Sequence, residues 1–430
     1  MLAKEIQRAY TEILIDELRP AMGCTEPIAI AYAASILTDV LGASPEQITV
    51  ELSGNIIKNV KSVIVPATGG MLGIESAVAA GVIADAPQKK LEVLSGLDDK
   101  DREAIRRYKE TCPMQIRELN SRCTFDLLLS GTFEGHTASV RITGGHTDLV
   151  SVEKDGASLL NRYTEDGKDP EKRVADADLR TGLLNVQDIV TFAEETSLEE
   201  LRPYLEKQIA LNMAIAEEGL RNPYGASIGQ LLMEGGREPS RLARAYAAAG
   251  SDARMSGCEL AVCILSGSGN QGITASVPVI VYAREHGIDQ ETLLRALIVA
   301  DLVTVHQKTG IGCLSAYCGA ISAGCGCGAG IAYLFGGRYH EIAHTVVNAV
   351  AILSGTICDG AKPSCAAKIA MAVEAGIMGY EMAKTGRQFY GGDGIVTKGV
   401  ENTIRNVGRL ARDGMGETDR EIIRIMLGEN

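Results

Sequence analysis

The chain has 430 residues, enough to bury a sizeable core, and its length suggests two or three domains. A formal net charge of −13 leaves no basic surplus to neutralise phosphates, which argues against nucleic-acid binding and against an anionic membrane surface. Aromatic residues make up only 4%, with no Trp, while Gly numbers 48, so helices are expected to pack closely through small side chains.

Residues 4–19 have a helical period, with Ile6, Ala9, Ile13, Leu14 and Leu18 apolar. Pro20 and Gly23 end it, and a second apolar helix is predicted over residues 26–41. The first residues carry charges and no apolar run before a cleavage site, so no signal peptide is expected and the compartment is predicted to be cytoplasmic. Residues 48–52 alternate as a strand, Gly54-Asn55 reads as a turn, and Val63-Ile64-Val65 as a second short strand. Residues 74–83 look helical, and 88–95, 124–132 and 137–153 read as strands, with a hairpin at Glu153-Lys154-Asp155-Gly156.

The polar stretch 163–180 is predicted to be a surface connection, and beyond about residue 190 nearly everything has helical periodicity broken by glycine-rich turns. The expectation is therefore an α+β protein. Residues 1–190 would form an α/β domain with a small mixed sheet, and residues 191–430 an all-helical domain. The helices at 4–19 and 26–41 could pack on either. The uncharged stretch 310–337 is rich in Gly, Ala, Ser and Cys and poor in large apolar residues. It reads as a buried helix with glycine-rich turns rather than a membrane span.

A small-residue turn leading into an apolar helix recurs at residues 23–27, 66–73, 267–274 and 324–330. Such turns leave N–H groups free at a helix start, where they can bind a carboxylate. Glycine placed only for close helix contact is the alternative at each.

Eleven cysteines in a chain of this kind leave three readings open: inert core thiols, a metal site or a nucleophile. Cys112, Cys123, Cys258 and Cys263 stand in ordinary contexts. Cys313, Cys318, Cys325 and Cys327 share one glycine-rich stretch, and Cys358 and Cys365 flank a loop at 359–364. Two close pairs, as in a zinc ribbon, are not present. Iron–sulfur clusters accept thiolates spread over helix ends, but spacing alone does not choose three ligands from six. Cys24 stands at a helix start, a setting that favours thiolate.

Gly23-Cys24-Thr25-Glu26-Pro27, Ser53-Gly54-Asn55-Ile56-Ile57-Lys58-Asn59, Pro66-Ala67-Thr68-Gly69 and Cys358-Asp359-Gly360-Ala361-Lys362 resemble the L-cysteine desulfidase family over nearly the whole chain. The C-terminal half is more distantly similar to the α domain of iron–sulfur L-serine dehydratases. That similarity runs through Ser268-Gly269-Asn270-Gln271-Gly272, His306-Gln307-Lys308, Cys318, and the pair Cys358 and Cys365. The resemblance implies a four-iron four-sulfur (4Fe-4S) cluster on Cys318, Cys358 and Cys365, with one iron open and Cys325 in reserve. It implies Cys24 as the base that removes an α-proton, with His146 and Lys308 as weaker candidates for base or substrate binding. Asn55, Asn59, Thr68, Asn270 and Gln271, all placed on turns, are candidate ligands of the substrate's carboxylate and amine.

The implied reaction is β-elimination from a small amino acid, most simply L-cysteine to pyruvate, ammonia and sulfide. L-Serine or another β-substituted amino acid is the alternative. A metal-free amino-acid-binding protein and a structural zinc protein are alternatives of another class. Pyridoxal phosphate is not expected, because no lysine motif for it stands out, and a homodimer is expected on general grounds.

Overall fold

The computed structural model describes residues 2–121, 123–162, 180–312, 314–392 and 394–428. Apart from Arg180, the predicted connection at 163–180 lies outside them, as does Cys313. The architecture is α+β, with a mixed sheet in the N-terminal part and packed helices after it.

Helix α1 (Lys4–Glu17) turns Tyr10, Ile13 and Leu14 inward, and strand β1 (Pro20–Met22) follows at once. Helix α2 (Thr25–Leu41) is buried nearly all round, as expected of a helix apolar on every face. Strand β2 (Gln47–Leu52) runs directly into α3 (Gly54–Val60), so Gly54-Asn55 opens a helix rather than making a turn. Helix α4 (Gly73–Ala84) packs against α2, closely enough that a Cβ on Gly81 would lie 2.1 Å from the Ala31 carbonyl oxygen. Of the predicted strand at 63–65 only a single bridge is formed, between Ile64 and Leu72.

The predicted strand at 88–95 is instead a short 3-10 helix (Pro87–Glu92). Leu91 is its buried residue, and Pro87 presets its first turn. Helix α5 (Asp99–Thr111) follows, its start closed by a reciprocal capping box. Asp98 accepts from the N–H groups of Lys100 and Asp101, and Asp101 accepts from that of Asp98.

Strands β3 (Met114–Glu118), β4 (Asp126–Phe133), β5 (His136–Thr143), β6 (Leu149–Lys154) and β7 (Ala157–Asn161) complete a six-stranded sheet among the described residues. Its order is β3-β2-β4-β5-β6-β7, with β2 and β3 parallel and every other pair antiparallel. Val50, Leu127, Leu129, Val140 and Ile142 point inward beneath α2.

The helical part comprises α6 (Val186–Glu195), α7 (Arg202–Arg221), α8 (Ile228–Met233), α9 (Pro239–Met255), a short strand β8 (Ala261–Cys263), α10 (Gly269–His286), α11 (Gln290–Ile311), α12 (Gly319–Leu334), α13 (Tyr339–Leu353), α14 (Cys365–Lys384), α15 (Val400–Arg409) and α16 (Gly416–Leu427). Helix α12 lies among α10, α11, α13 and α14. Residues 324–330 fall inside this helix and make no turn. Their glycines serve contact: a Cβ on Gly324 would stand 2.3 Å from the Ala372 carbonyl oxygen, and one on Gly376 would stand 2.1 Å from that of Gly324. Backbones therefore touch with no side chain between them, which accounts for the composition.

Buried side chains from both parts join one continuous core. Tyr10 of α1, for example, meets Phe192 of α6 edge-on at 5.5 Å. Helix α16 returns to α3, where Lys58 and Asp419 form a buried ion pair of 2.5 Å. No helix among the described residues is long and apolar enough to cross a membrane.

Candidate active site

Strands β1 and β8 pair antiparallel, with Pro20 opposite Cys263, and each leads through a tight turn into a helix. That ribbon sets the starts of α2 and α10 side by side. The second turn has Ser266 and Gly267 both at positive φ (47° and 73°), and the Leu265 and Ser268 backbones bond across it. The Thr25 hydroxyl donates to the Gly267 carbonyl at 3.0 Å and ties the two turns together.

A second pairing works the same way further on. Tyr317 bridges Ile357, the Cys318 N–H donates to Thr356, and the Cys358 N–H donates to Ala316 at 2.7 Å. Cys318 at the start of α12 is thereby held beside Cys358. The loop to Cys365 then passes under α3, where Gly360 (φ 96°) has room only because it lacks a side chain. A Cβ there would meet the Lys58 carbonyl oxygen at 2.6 Å.

Four helix starts thus face one cavity of about 110 Å3. Cys24, Ser268, Cys318 and Cys365 mark them, and none has a side chain capping its first-turn N–H groups. Helix starts carry partial positive charge, so the cavity favours anions. At roughly 10–15 Å3 for each water-sized body, it has room for a small amino acid.

Cys24 is buried, and its thiol donates to the Glu26 carboxylate at 3.0 Å. Glu26 also accepts from the Thr25 hydroxyl at 3.1 Å and from the Asn59 amide at 3.0 Å. Burial works to raise the Glu26 pKa, but His146, the Cys24 thiol and Arg254 outweigh it and leave the carboxyl below its ordinary range. Burial and the same carboxylate push the Cys24 thiol well above its ordinary value, with Arg254 opposing only in part. The pull of the helix start towards thiolate, expected from sequence, is outweighed here. Burial also lowers the His146 pKa against the attraction of Glu26 and Asp148. Its ring leans on Phe125, and Nε2 has no partner among the described residues.

The other wall carries thiols. Cys318 and Cys358 share a hydrogen bond and titrate as a pair. The bond from Cys318, the ammonium of Lys58 and the Gly360 N–H draw Cys358 down, while Cys318 is pushed up. The Lys362 N–H points at the Cys365 sulfur at 3.4 Å. Lys368 donates to the Ile357 carbonyl and to Asp359 at 2.6 Å. Three soft thiols surrounded by cations and N–H groups suit a thiolate-bound cluster in donor chemistry and placement. Among the described residues no three such side chains already converge at metal-ligand spacing.

Cys24, His146, Lys308, Asn59, Asn270, Gln271, Cys318, Cys358 and Cys365 all line this cavity, whereas Asn55 and Thr68 do not. The Thr68 hydroxyl is occupied within its own turn, donating to the Val65 carbonyl and accepting from the Met71 N–H. Asn55 lies at the opposite end of α3 from Asn59. Cys325 and Cys327 are buried in α12 outside the cavity, and Cys327 donates to the Gly324 carbonyl. Sequence reasoning missed Glu26, Arg254 and Lys368 as site residues. A charge in the first turn of a largely apolar helix was the available signal for Glu26.

One further motif, His340-Glu341-Ile342-Ala343-His344, has the spacing of a zinc protease helix. Here Glu341 caps α13 by accepting from the Arg338 N–H, and no third ligand joins the two imidazoles among the described residues.

Fold and cavity together define an α+β protein whose helical part holds a buried, thiol-lined pocket of amino-acid size. The chain belongs to the serine dehydratase alpha chain family, whose model matches residues 88–424. It is 52% identical to a UPF0597 protein of Desulfitobacterium hafniense, covering 98% of this chain and 97% of that one. It is 45% identical to a UPF0597 protein of Lachnoclostridium phytofermentans (97% and 98% covered) and 41% identical to one of Treponema denticola (99% of each).

Proposed function

We propose that this protein is an iron–sulfur-dependent lyase that eliminates the β-heteroatom of a small amino acid, with L-cysteine its favoured substrate. The observation that carries the reading is the meeting of Cys24 with Cys318, Cys358 and Cys365 around one anion-favouring cavity. The match to serine dehydratase alpha chains supports the elimination chemistry and makes L-serine the second reading.

Cys318, Cys358 and Cys365 would hold the 4Fe-4S cluster, which when bound supplies a Lewis acid for the departing sulfide or hydroxide. The protein's own part is proton transfer and orientation. The resting dyad is a Cys24 thiol and a Glu26 carboxylate, and passing the thiol proton to Glu26 Oε2 along their 3.0 Å hydrogen bond makes Cys24 basic. Cys24 then takes the α-proton, the Cβ–S bond breaks, and aminoacrylate remains. Aminoacrylate becomes an imine, and water hydrolyses it to pyruvate and ammonia. Asn59 holds Glu26 in place, and Asn270 and Gln271 meet the substrate's polar groups. Soft thiolate is the better match to iron, which favours cysteine over serine. We place the enzyme in the cytoplasm, with a homodimer as its assembly.

The test is an anaerobic assay of the iron-reconstituted protein, reading sulfide, pyruvate and ammonia for L-cysteine and L-serine in parallel. Equal sulfide and pyruvate from cysteine, with iron bound, is expected. Turnover of serine alone moves the assignment to a dehydratase, and no turnover of either amino acid overturns the lyase reading.

A further inference from the structure

Arg254 ends helix α9 and is 4% exposed, yet it enters no ion pair or hydrogen bond with any described residue. A guanidinium presents five N–H donors in a planar fork and keeps its charge even when buried. The Arg254 Nε is enclosed without a partner, and a buried guanidinium with no counter-charge is unfavourable, which a partner entering the cavity would relieve. The side chain lines the cavity. It lies flat against the first residue of α10, where a Cβ on Gly269 would stand 2.4 Å from Nε. Glu26, Cys24 and Cys365 act on it only through space.

The same corner gathers further unmet groups. Helix α10 is 18 residues long, and Ser268 does not cap it. The Asn270 Oδ1 and Gln271 Oε1 atoms, Gln271 being 6% exposed, also lack partners and, as acceptors, suit the substrate's ammonium group. The charge that Arg254 and the uncapped helix start call for is a single negative one, planar and bidentate, approaching along a helix axis. A carboxylate has that form.

We infer that Arg254, together with the start of α10, is the anchor for the α-carboxylate of the substrate, and that it restricts the enzyme to amino acids over the corresponding amines. This rests on the lyase reading for what happens next, but the binding step needs neither cluster nor turnover. A carboxylate fixed by two parallel bonds at the α10 start orients the α-carbon across the cavity from the thiol wall. Arg254 is in this sense a binding and specificity residue.

The test uses the full chain and a ligand with no leaving group. Calorimetry of L-alanine against L-alaninamide, on the protein as purified, should show binding of the acid and at least tenfold weaker binding of the amide. Arg254→Gln should bring L-alanine down to the level of the amide, and Arg254→Lys, which keeps charge but loses the fork, should fall between. With the reconstituted enzyme, Arg254→Lys should raise KM for L-cysteine with little change in kcat, and cysteamine should not be turned over by the wild type. Equal binding of acid and amide by the wild type, which depends on no variant, overturns the inference. So does a folded Arg254→Gln protein that keeps its L-alanine affinity within about twofold. Carboxylate-dependent binding without any elimination would uphold the anchor and dismiss the lyase reading. Equal turnover of cysteine and cysteamine would do the reverse.

Discussion

The Cys24 thiol donates to the carboxylate of Glu26 at 3.0 Å, two residues on in the first turn of the same helix. Each group opposes the other's usual behaviour: the carboxylate stays ionised in a buried site, and the thiol stays protonated at a helix start. Glu26→Gln removes the negative charge while leaving an amide oxygen that can still accept from the thiol. The Cys24 thiol should then titrate at lower pH, read as an alkylation rate profile that moves down the pH axis. Elimination should fall about 10²- to 10⁴-fold, the usual loss when a proton-transfer partner is removed. An alkylation profile that stays in place would show that the carboxylate does not control the thiol.

Iron binding should divide the cysteines. Cys318→Ala, Cys358→Ala and Cys365→Ala should each lower iron content after anaerobic reconstitution. Cys325→Ala and Cys327→Ala should keep it, because those thiols lie in the interior of α12 away from the cavity. Loss of iron from Cys325→Ala together with retention in Cys365→Ala would exchange their roles.

Asp301 in α11 is fully buried and accepts from the Gln208 amide at 3.0 Å, with its second oxygen unpartnered. Burial raises its pKa to about 8. The folded state therefore keeps a proton that the unfolded chain releases near pH 4. This contribution to stability is fully present below the unfolded value, declines as pH rises, and is gone above the folded one. Its slope is at most about 1.4 kcal/mol per pH unit. Asp301→Asn should flatten the fall in Tm between pH 4 and 8 while preserving the bond from Gln208. An unchanged profile would mean that another group sets the slope.

The Lys58–Asp419 pair joins α3 to the last helix, and the same ammonium lies 3.4 Å from the Cys358 carbonyl. Asp419→Ala leaves that ammonium buried without its counter-ion and should destabilise by about 3 kcal/mol in chemical denaturation. Lys58→Met combined with Asp419→Leu should recover much of the loss. Failure of the pair to recover would locate the cost in packing of α16 rather than in charge.

Gly376→Ala should cost at least about 1–3 kcal/mol, measured as a lowered Tm, because the new methyl meets the Gly324 carbonyl and α12 has no room to move. Gly386→Ala faces open space and tests positive φ alone, so its cost should be smaller.

Much of the site was legible because the residues that line it sit at helix starts, where turn chemistry marks them in sequence. Cys24 and Asn270 are of this kind, whereas Cys318, Cys358 and Cys365 came with the family resemblance. Thr68 carried the same turn signal but spends its hydroxyl on the turn itself. Arg254 was not legible. It closes an Ala-rich helix like any solvated terminal charge, and only packing reveals that it is buried. The fold followed the same division. Apolar period marked α2 and β4, but α5 buries only Ile105, so its amphipathic signal was drowned by charge. The glycines at 324–330 resemble a turn in sequence, and the neighbouring backbones that make them a helix interface lie far along the chain.

The β1–β8 ribbon has a consequence for the order in which the molecule comes into being. It joins residues 20–22 to 261–263, and the cavity beyond it draws lining from Cys24 to Ile369. Contacts of such long sequence separation form late and slowly in folding. A chain still emerging from the ribosome therefore has the thiol of Cys24 but neither of the walls that face it, so the pocket can be assembled and loaded only after nearly all of the protein has been synthesised.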